Sequence, residues 1–296
     1  MFQRKSITVF LIIAFAVAWV LFVLPLAFRN ADPNTRQAIT LVCWTAAMWA
    51  PGLAAILTTH FVDREKMSKL HLNRLGDRRS YLLAWLVPLL LVIASGLLTV
   101  LLGVGQADLE FTAIGEAMAQ TSGAALPAGT VVGIQMLFAI TLAPLFNTLF
   151  ALGEELGWRG YLLPKLFPLG QGKAILLSGV IWGVWHWPAI LQGRNYPGQP
   201  ILGMFLMIGF CVLFGAILSW LYLRTGSPWA PALGHGALNA FAGFPLVFMP
   251  GVNMALGGTL TSLVGWIPMI LYVGWLIWKR ELLGRAPEAP AQPLAV

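Results

Sequence analysis

The sequence predicts an all-α polytopic membrane protein, with about eight transmembrane helices around an intramembrane polar cavity. Three observations predict it. First, 58% of the 296 residues are hydrophobic and only 10% are charged, against about 25% charged in an ordinary soluble domain. Second, apolar runs of about 20 residues, the length needed to cross the hydrocarbon core, recur along the chain. Third, the runs are continuous rather than alternating, which fits helices and not the strands of a membrane barrel. So few charges exclude a soluble enzyme, a disordered chain and a nucleic-acid-binding module. Membrane lipids are the expected surroundings.

The spans are expected at 7–28, 38–62, 81–104, 130–152, 174–191, 201–223, 229–249 and 259–278. The first is longer than the apolar core of a signal peptide, and the Leu-Ala-Phe-Arg-Asn that ends it is a weak cleavage site, so it is expected to stay on the protein. The fourth, fifth and seventh carry polar residues in or beside them. In the fifth, Gly179 and Gly183 form a small-xxx-small pair suited to close helix packing, and Trp182, Trp185 and Trp187 crowd one short segment, as cavity-lining residues would. Residues 1–283 read as one transmembrane domain, and the Pro/Ala-rich stretch 284–296 as a disordered cytoplasmic tail.

Charge sets the expected topology. The net charge is +7. With the N-terminus in the cytoplasm, the inner segments hold Arg4, Lys5, Arg64, Lys66, Lys69, Arg74, Arg78, Arg79, Arg159, Lys165, Lys173, Arg224, Lys279, Arg280 and Arg285. Only Arg29, Arg36 and Arg194 fall outside, and the outer stretch 105–129 holds Asp108, Glu110 and Glu116 without a Lys or Arg. That bias places both termini inside. The basic loop 64–79 reads as the topology signal together with attraction to anionic headgroups. Cys43 and Cys211 each sit in an apolar run, which suggests neither a disulfide framework nor a Cys-rich metal site.

Ionisable residues at membrane depth are functional candidates. Glu154 and Glu155 follow an uncharged run. Adjacent residues on a helix point about 100° apart, and Glu155 can pair with Arg159 four residues on. That leaves Glu154 on another face, free to act as a general base if it points into a partly apolar cavity. The competing reading is a solvated helix end at the cytoplasmic surface. His186 lies near the end of an apolar helix between tryptophans. His235 and Asn239 share a helical face and together could hold a substrate carbonyl and its oxyanion, or simply glue two helices. Span directions set His186 near the outer end of span five and His235 near the inner start of span seven. A tilted or late-starting span five, or a deep cavity, would reconcile the two.

At these residues the sequence resembles the CAAX protease and bacteriocin-processing family of intramembrane proteases, whose eukaryotic branch is the type II CAAX prenyl endopeptidase. The pattern Glu-Glu-x-x-x-Arg, Phe-x-x-x-His, His-x-x-x-Asn/Asp is matched in order by Glu154-Glu155-x-x-x-Arg159, Trp182-x-x-x-His186 and His235-x-x-x-Asn239, all within 153–240. One departure is Trp182 where the pattern has Phe. The resemblance implies a peptidase in which Glu154 and His186 position and deprotonate a water, His235 and Asn239 stabilise the oxyanion, and Glu155 and Arg159 support the first motif. No Ser or Cys stands as a nucleophile beside them. No cofactor is required on this reading. Zinc held by Glu154, His186 and His235 is the alternative, although no His-Glu-x-x-His occurs.

The expected substrate is a membrane-associated peptide or protein, prenylated or not, and nucleic acid is not an expected partner. The compact, Ala/Gly/Leu-rich chain without an added soluble domain points to a bacterial inner-membrane protein. Two other functions compete. A non-catalytic membrane partner, such as a bacteriocin-immunity or adaptor protein, would keep the fold and bind without cutting. A small transporter would show inverted repeats with paired broken helices, and none is evident.

Overall fold

The computed structural model describes residues 3–121 and 126–283 and is all-helical over them. The expected tail at 284–296 lies outside the described residues. Fourteen α-helices follow in order: α1 (Arg4–Val23), α2 (Pro33–Ala47), α3 (Ala50–Leu57), α4 (Arg79–Leu101), α5 (Thr112–Thr121), α6 (Ala128–Thr141), α7 (Ala143–Glu155), α8 (Leu163–Leu166), α9 (Gln171–Trp185), α10 (Trp187–Leu191), α11 (Pro200–Thr225), α12 (Trp229–Phe241), α13 (Phe244–Phe248) and α14 (Leu263–Trp278).

Local chemistry explains several of the boundaries. Asp32 caps α2 by accepting from the backbone N–H groups of Asn34 and Thr35, and Pro33 occupies the first turn, where no N–H is needed. Ser262 caps α14 in the same way through Gly265. Gly226, at φ +60°, closes α11 in the left-handed conformation that glycine adopts without strain. Pro144 begins α7 just past Leu142, so α6 cannot run straight into it. The chain bends by 51° there.

Among the described residues four helical stretches are long and apolar enough to cross a membrane, Arg4–Phe28, Pro33–Val62, Arg79–Leu101 and Pro200–Thr225, and the bent pair through α6 and α7 counts as a fifth if it forms one span. Helix length therefore supports a multi-pass protein without showing eight spans. The reason is local. The stretches expected at 174–191, 229–249 and 259–278 fold as α9, α12 and α14, of 15, 13 and 16 residues. At about 1.5 Å per residue such helices rise only about 20–24 Å, short of the roughly 30 Å hydrocarbon core. Pro188 follows α9 at once, and Pro228 and Pro245 bracket α12.

The outer surface fits lipid. Leu101 is 79% exposed and Leu271 is 68% exposed, and large aliphatic side chains of α1, α2, α4, α6 and α7 share that outward position. Inside, α12 packs against α7 and α4, and α9 packs along α11. Small residues set these distances. A Cβ on Gly179 would lie 2.6 Å from the Val212 Cα, and one on Gly183 would lie 2.6 Å from the Ile208 Cα. The glycine pair read from the sequence is thus the seam between α9 and α11. Helix α1 braces this core from behind. The Trp185 indole donates to the Ala14 carbonyl, the Trp19 indole donates to the Trp185 carbonyl, and Phe10 stacks on Tyr161. Cys43 and Cys211 are both buried and unbridged.

Side chains from several elements tie down the basic loop 64–79: Ser227 donates to the Arg74 carbonyl, Trp229 to that of Leu72 and Tyr81 to that of Leu75. Arg224 donates to Asp77 and Glu281 at 3.1 Å each, and to Ser80. The hydrogen bonds from Ser80 and Arg224 hold the Asp77 carboxyl below its usual pKa. His71, half-buried beside the Tyr222 hydroxyl, has its pKa pushed below 6.5, first by burial and then by Arg74 and Lys69.

Candidate active site

Four segments build the site. The C-terminal end of α7 supplies Glu154 and Glu155, 2% and 0% exposed. Directly after it the chain widens into a π-helical stretch, Leu156–Leu162, which carries Arg159. Such widened turns inside helices are frequent at functional sites. Helix α9 supplies Trp182 and, at its C-cap, His186. Helix α12 supplies His235 and Asn239.

Close backbone contacts hold these segments in place. A Cβ on Gly153 would come 2.7 Å from the Trp49 Cα, and one on Gly157 would come 2.6 Å from the Pro51 carbonyl carbon, so α3 presses directly on the segment that bears the two glutamates. A Cβ on Gly236 would meet the Thr148 backbone nitrogen at 2.5 Å, so α12 lies against the α7 backbone next to His235.

The two carboxylates diverge as the helical geometry requires. Glu155 turns toward the π-helical stretch and α12. Its Oε1 accepts from Arg159 Nη1 and lies 2.9 Å from His235 Nδ1. The pairing with Arg159 expected from the i, i+4 spacing is present, and the contact with His235 is additional. Glu154 turns toward α9, where its Oε2 accepts from the Trp182 indole N–H at 2.7 Å. One glutamate is therefore paired with Arg159 and His235, and the other accepts from a neutral donor.

His186 is half-buried and has a defined tautomer. Its Nδ1 lies 2.8 Å from the Trp182 carbonyl oxygen. A carbonyl only accepts, so Nδ1 carries the proton and Nε2 keeps its lone pair. His235 is held from the other side: its Nδ1 faces a carboxylate, which also only accepts, so Nδ1–H donates and Nε2 is left for other partners.

Trp182 joins the two histidines. Its ring lies 5.7 Å from the His186 ring and 5.3 Å from the His235 ring, and the Arg159 guanidinium sits 4.5 Å from its centroid. The two histidines, expected at opposed heights, meet the same Trp182 ring and so belong to one site.

Glu154, Glu155, Arg159, His186 and His235 thus come together around Trp182. Asn239 lies one turn beyond His235 on α12 and is exposed. Among the described residues no three His, Cys, Asp or Glu side chains gather as a metal-holding group. Trp182 as a hydrogen-bond donor, and Glu155 as the partner of His235, were not legible in the sequence. The one available signal was the Trp at a position where the resembled pattern has Phe, since only the indole brings an N–H.

The arrangement supplies what amide hydrolysis needs: a buried carboxylate with one oxygen uncommitted, an imidazole nitrogen able to accept from water, and a carboxylate-backed imidazole able to donate. Residues 129–241, which contain every one of these groups, match the family described as type II CAAX prenyl endopeptidase Rce1-like. The chain is similar to CAAX prenyl protease 2 of Homo sapiens, 34% identical over 101 residues, covering 32% of this chain and 30% of the relative. It is similar to CAAX prenyl protease 2 of Methanococcus maripaludis, 34% identical over 99 residues, covering 31% and 33%. A third relative, CAAX prenyl protease 2 of Arabidopsis thaliana, is 29% identical over 124 residues, covering 40% and 39%. The matched part spans about a third of the length of these curated relatives. Residues 129–241, the segment that builds this site, are thus similar to the Rce1-like type II CAAX prenyl endopeptidases, over well under half of the chain.

Proposed function

We propose that the protein is an intramembrane endopeptidase that hydrolyses a peptide bond of a membrane-associated peptide or protein, with Glu154 as the base that activates water. The observation that carries this reading is the division of labour between the adjacent carboxylates. Glu155 holds Arg159 and His235 on its Oε1, whereas among the described residues Glu154 accepts a hydrogen bond from the neutral indole of Trp182 and from no cation. Glu155 also leaves Oε2 without a partner, so what marks Glu154 as the base is the lack of a hydrogen-bonded cation and not a spare oxygen.

In the proposed reaction, water lies between Glu154 Oε1 and His186 Nε2. His186 accepts one of its hydrogens and orients it, and Glu154 takes the other as the oxygen attacks the substrate carbonyl carbon. His235, backed by Glu155, donates from Nε2 in its protonated form to the oxyanion. Asn239, on the exposed side of α12, donates its amide to the same oxygen. The C–N bond then breaks, and Glu154 returns its proton to the leaving amine. The proton that reaches the amine is the one Glu154 took from the water, and His235 keeps its own throughout. The short helices α9, α12 and α14 complete the bundle at membrane depth, giving eight membrane-embedded segments with both termini in the cytoplasm. The site then lies within reach of a substrate arriving laterally from the lipid.

The test uses the purified protein in proteoliposomes with two quenched-fluorescent peptides, one farnesylated at a C-terminal CAAX box and one unprenylated with an apolar anchor. Mass spectrometry identifies any new chain end. Cleavage of either peptide that falls by about 100-fold or more in Glu154→Gln supports the base assignment. Undiminished turnover in that variant rejects it. Binding of both peptides without any new chain end would favour the non-catalytic partner.

A further inference from the structure

We propose that Trp182 is the positioning residue for the water-activating carboxylate. This inference rests on the reading of Glu154 as the base. The indole N–H of Trp182 donates to Glu154 Oε2 at 2.7 Å, in a setting where Trp182 is 1% and Glu154 is 2% exposed. A buried hydrogen bond to a carboxylate is among the stronger ones available to a protein. It commits Oε2 and sets the plane of the carboxyl group, leaving Oε1 to face the water.

The indole is itself immobile. The Arg159 guanidinium lies over its ring at 4.5 Å. On the α11 side, a Cβ on Gly215 would lie 3.0 Å from Arg159 Nη2 and 3.8 Å from Trp182 Cε3, so the glycine leaves the space in which the guanidinium lies over the indole. The ring also meets His235 at 5.3 Å with the planes 68° apart. Through its main chain the same residue fixes the second member of the water site, because its carbonyl holds His186 Nδ1 at 2.8 Å. One residue therefore orients both groups between which the water would sit. Phenylalanine could supply the ring and the carbonyl but not the N–H.

The decisive variant is Trp182→Phe, which keeps an aromatic ring but removes the donor along with the second ring of the indole, so thermal stability is measured beside the rate. If Trp182 positions the base, kcat on the cleaved peptide falls by about 10-fold or more while KM is unchanged, because substrate binding does not use the indole N–H. A packing role alone would show as lost thermal stability with kcat preserved in the folded fraction. A spectroscopic readout covers the case in which Trp182→Phe does not fold. In ¹⁵N-indole-labelled protein, the Trp182 resonance is identified among the 13 tryptophans by moving on Glu154→Ala, which removes its acceptor.

Three outcomes overturn the inference: wild-type kcat in folded Trp182→Phe, a rise in KM alone, or an indole spectrum that Glu154→Ala leaves unchanged. Its failure is distinguishable from failure of the underlying reading. An active Glu154→Gln variant rejects the base itself, whereas an inactive Glu154→Gln beside a fully active Trp182→Phe rejects only the positioning role.

Discussion

Gly236→Ala tests how finely the packing of α12 on α7 sets the site. The added Cβ would lie 2.5 Å from the Thr148 nitrogen, and 2.9 Å from both the Asn147 carbonyl carbon and the Pro144 carbonyl oxygen. All three are backbone atoms of α7, so no side chain can swing aside. Restoring ordinary contact requires the helices to part by roughly 0.9 Å. His235 precedes Gly236 and moves with it, away from Glu155 on α7. Their 2.9 Å contact then opens toward about 3.8 Å, beyond hydrogen-bond range. Overpacking costs about 1–3 kcal/mol, and a hydrogen bond to a charged group is worth about 1.5–3 kcal/mol. Alanine's better helix propensity returns about 1 kcal/mol, which leaves a net loss of roughly 2–5 kcal/mol. Thermal unfolding in detergent measures the stability, and proteoliposome cleavage measures the rate, expected to drop by about 100-fold for a displacement near 1 Å. Gly133→Ala is the control, since nothing lies within 4 Å of its Cβ, and it is expected to match or slightly exceed the wild type. A Gly236→Ala protein as stable and as active as that control would refute the reasoning.

Two further outcomes follow from charged groups, one in the site and one in the basic loop. Glu155→Gln removes the carboxylate that faces both Arg159 and His235 at full burial; the stranded guanidinium should cost about 3–5 kcal/mol, read as lowered thermal stability and yield, and wild-type stability would contradict it. His71 favours its neutral form in the fold, because burial holds its pKa below 6.5. Its contribution to stability is therefore complete above about pH 6.5 and is lost as pH falls below that value toward the folded pKa. The unfolding temperature should drop more between pH 7 and pH 5 in the wild type than in His71→Gln, and equal drops would remove His71 as the source.

The lesson about legibility runs through particular residues. The Glu155–Arg159 pair and the divergence of Glu154 could be read directly, because both follow from the angular spacing of a single helix. The small-residue seam at Gly179 and Gly183 was equally local. The span count was not. Hydropathy reports how apolar a stretch is and not where its backbone hydrogen bonds stop, so the breaks that divide 174–191 into α9 and α10, and 229–249 into α12 and α13, could not be read from it. Asn239 shows the opposite limit. Its spacing from His235 put both on one face, yet His235 is buried at 5% while Asn239 is exposed, because a neighbouring helix covers only part of a face.

What the amino-acid order determined by itself is the solvent and the chemistry: a chain this apolar must face lipid, and carboxylates and imidazoles at membrane depth persist only where something satisfies them. What only the tertiary structure decided is which of those groups meet. Glu155 finds His235 across 80 positions of chain and Glu154 finds Trp182 across 28. Those encounters are set by how closely glycine-bearing helices approach one another, a distance that depends on both partners and is written in neither helix alone.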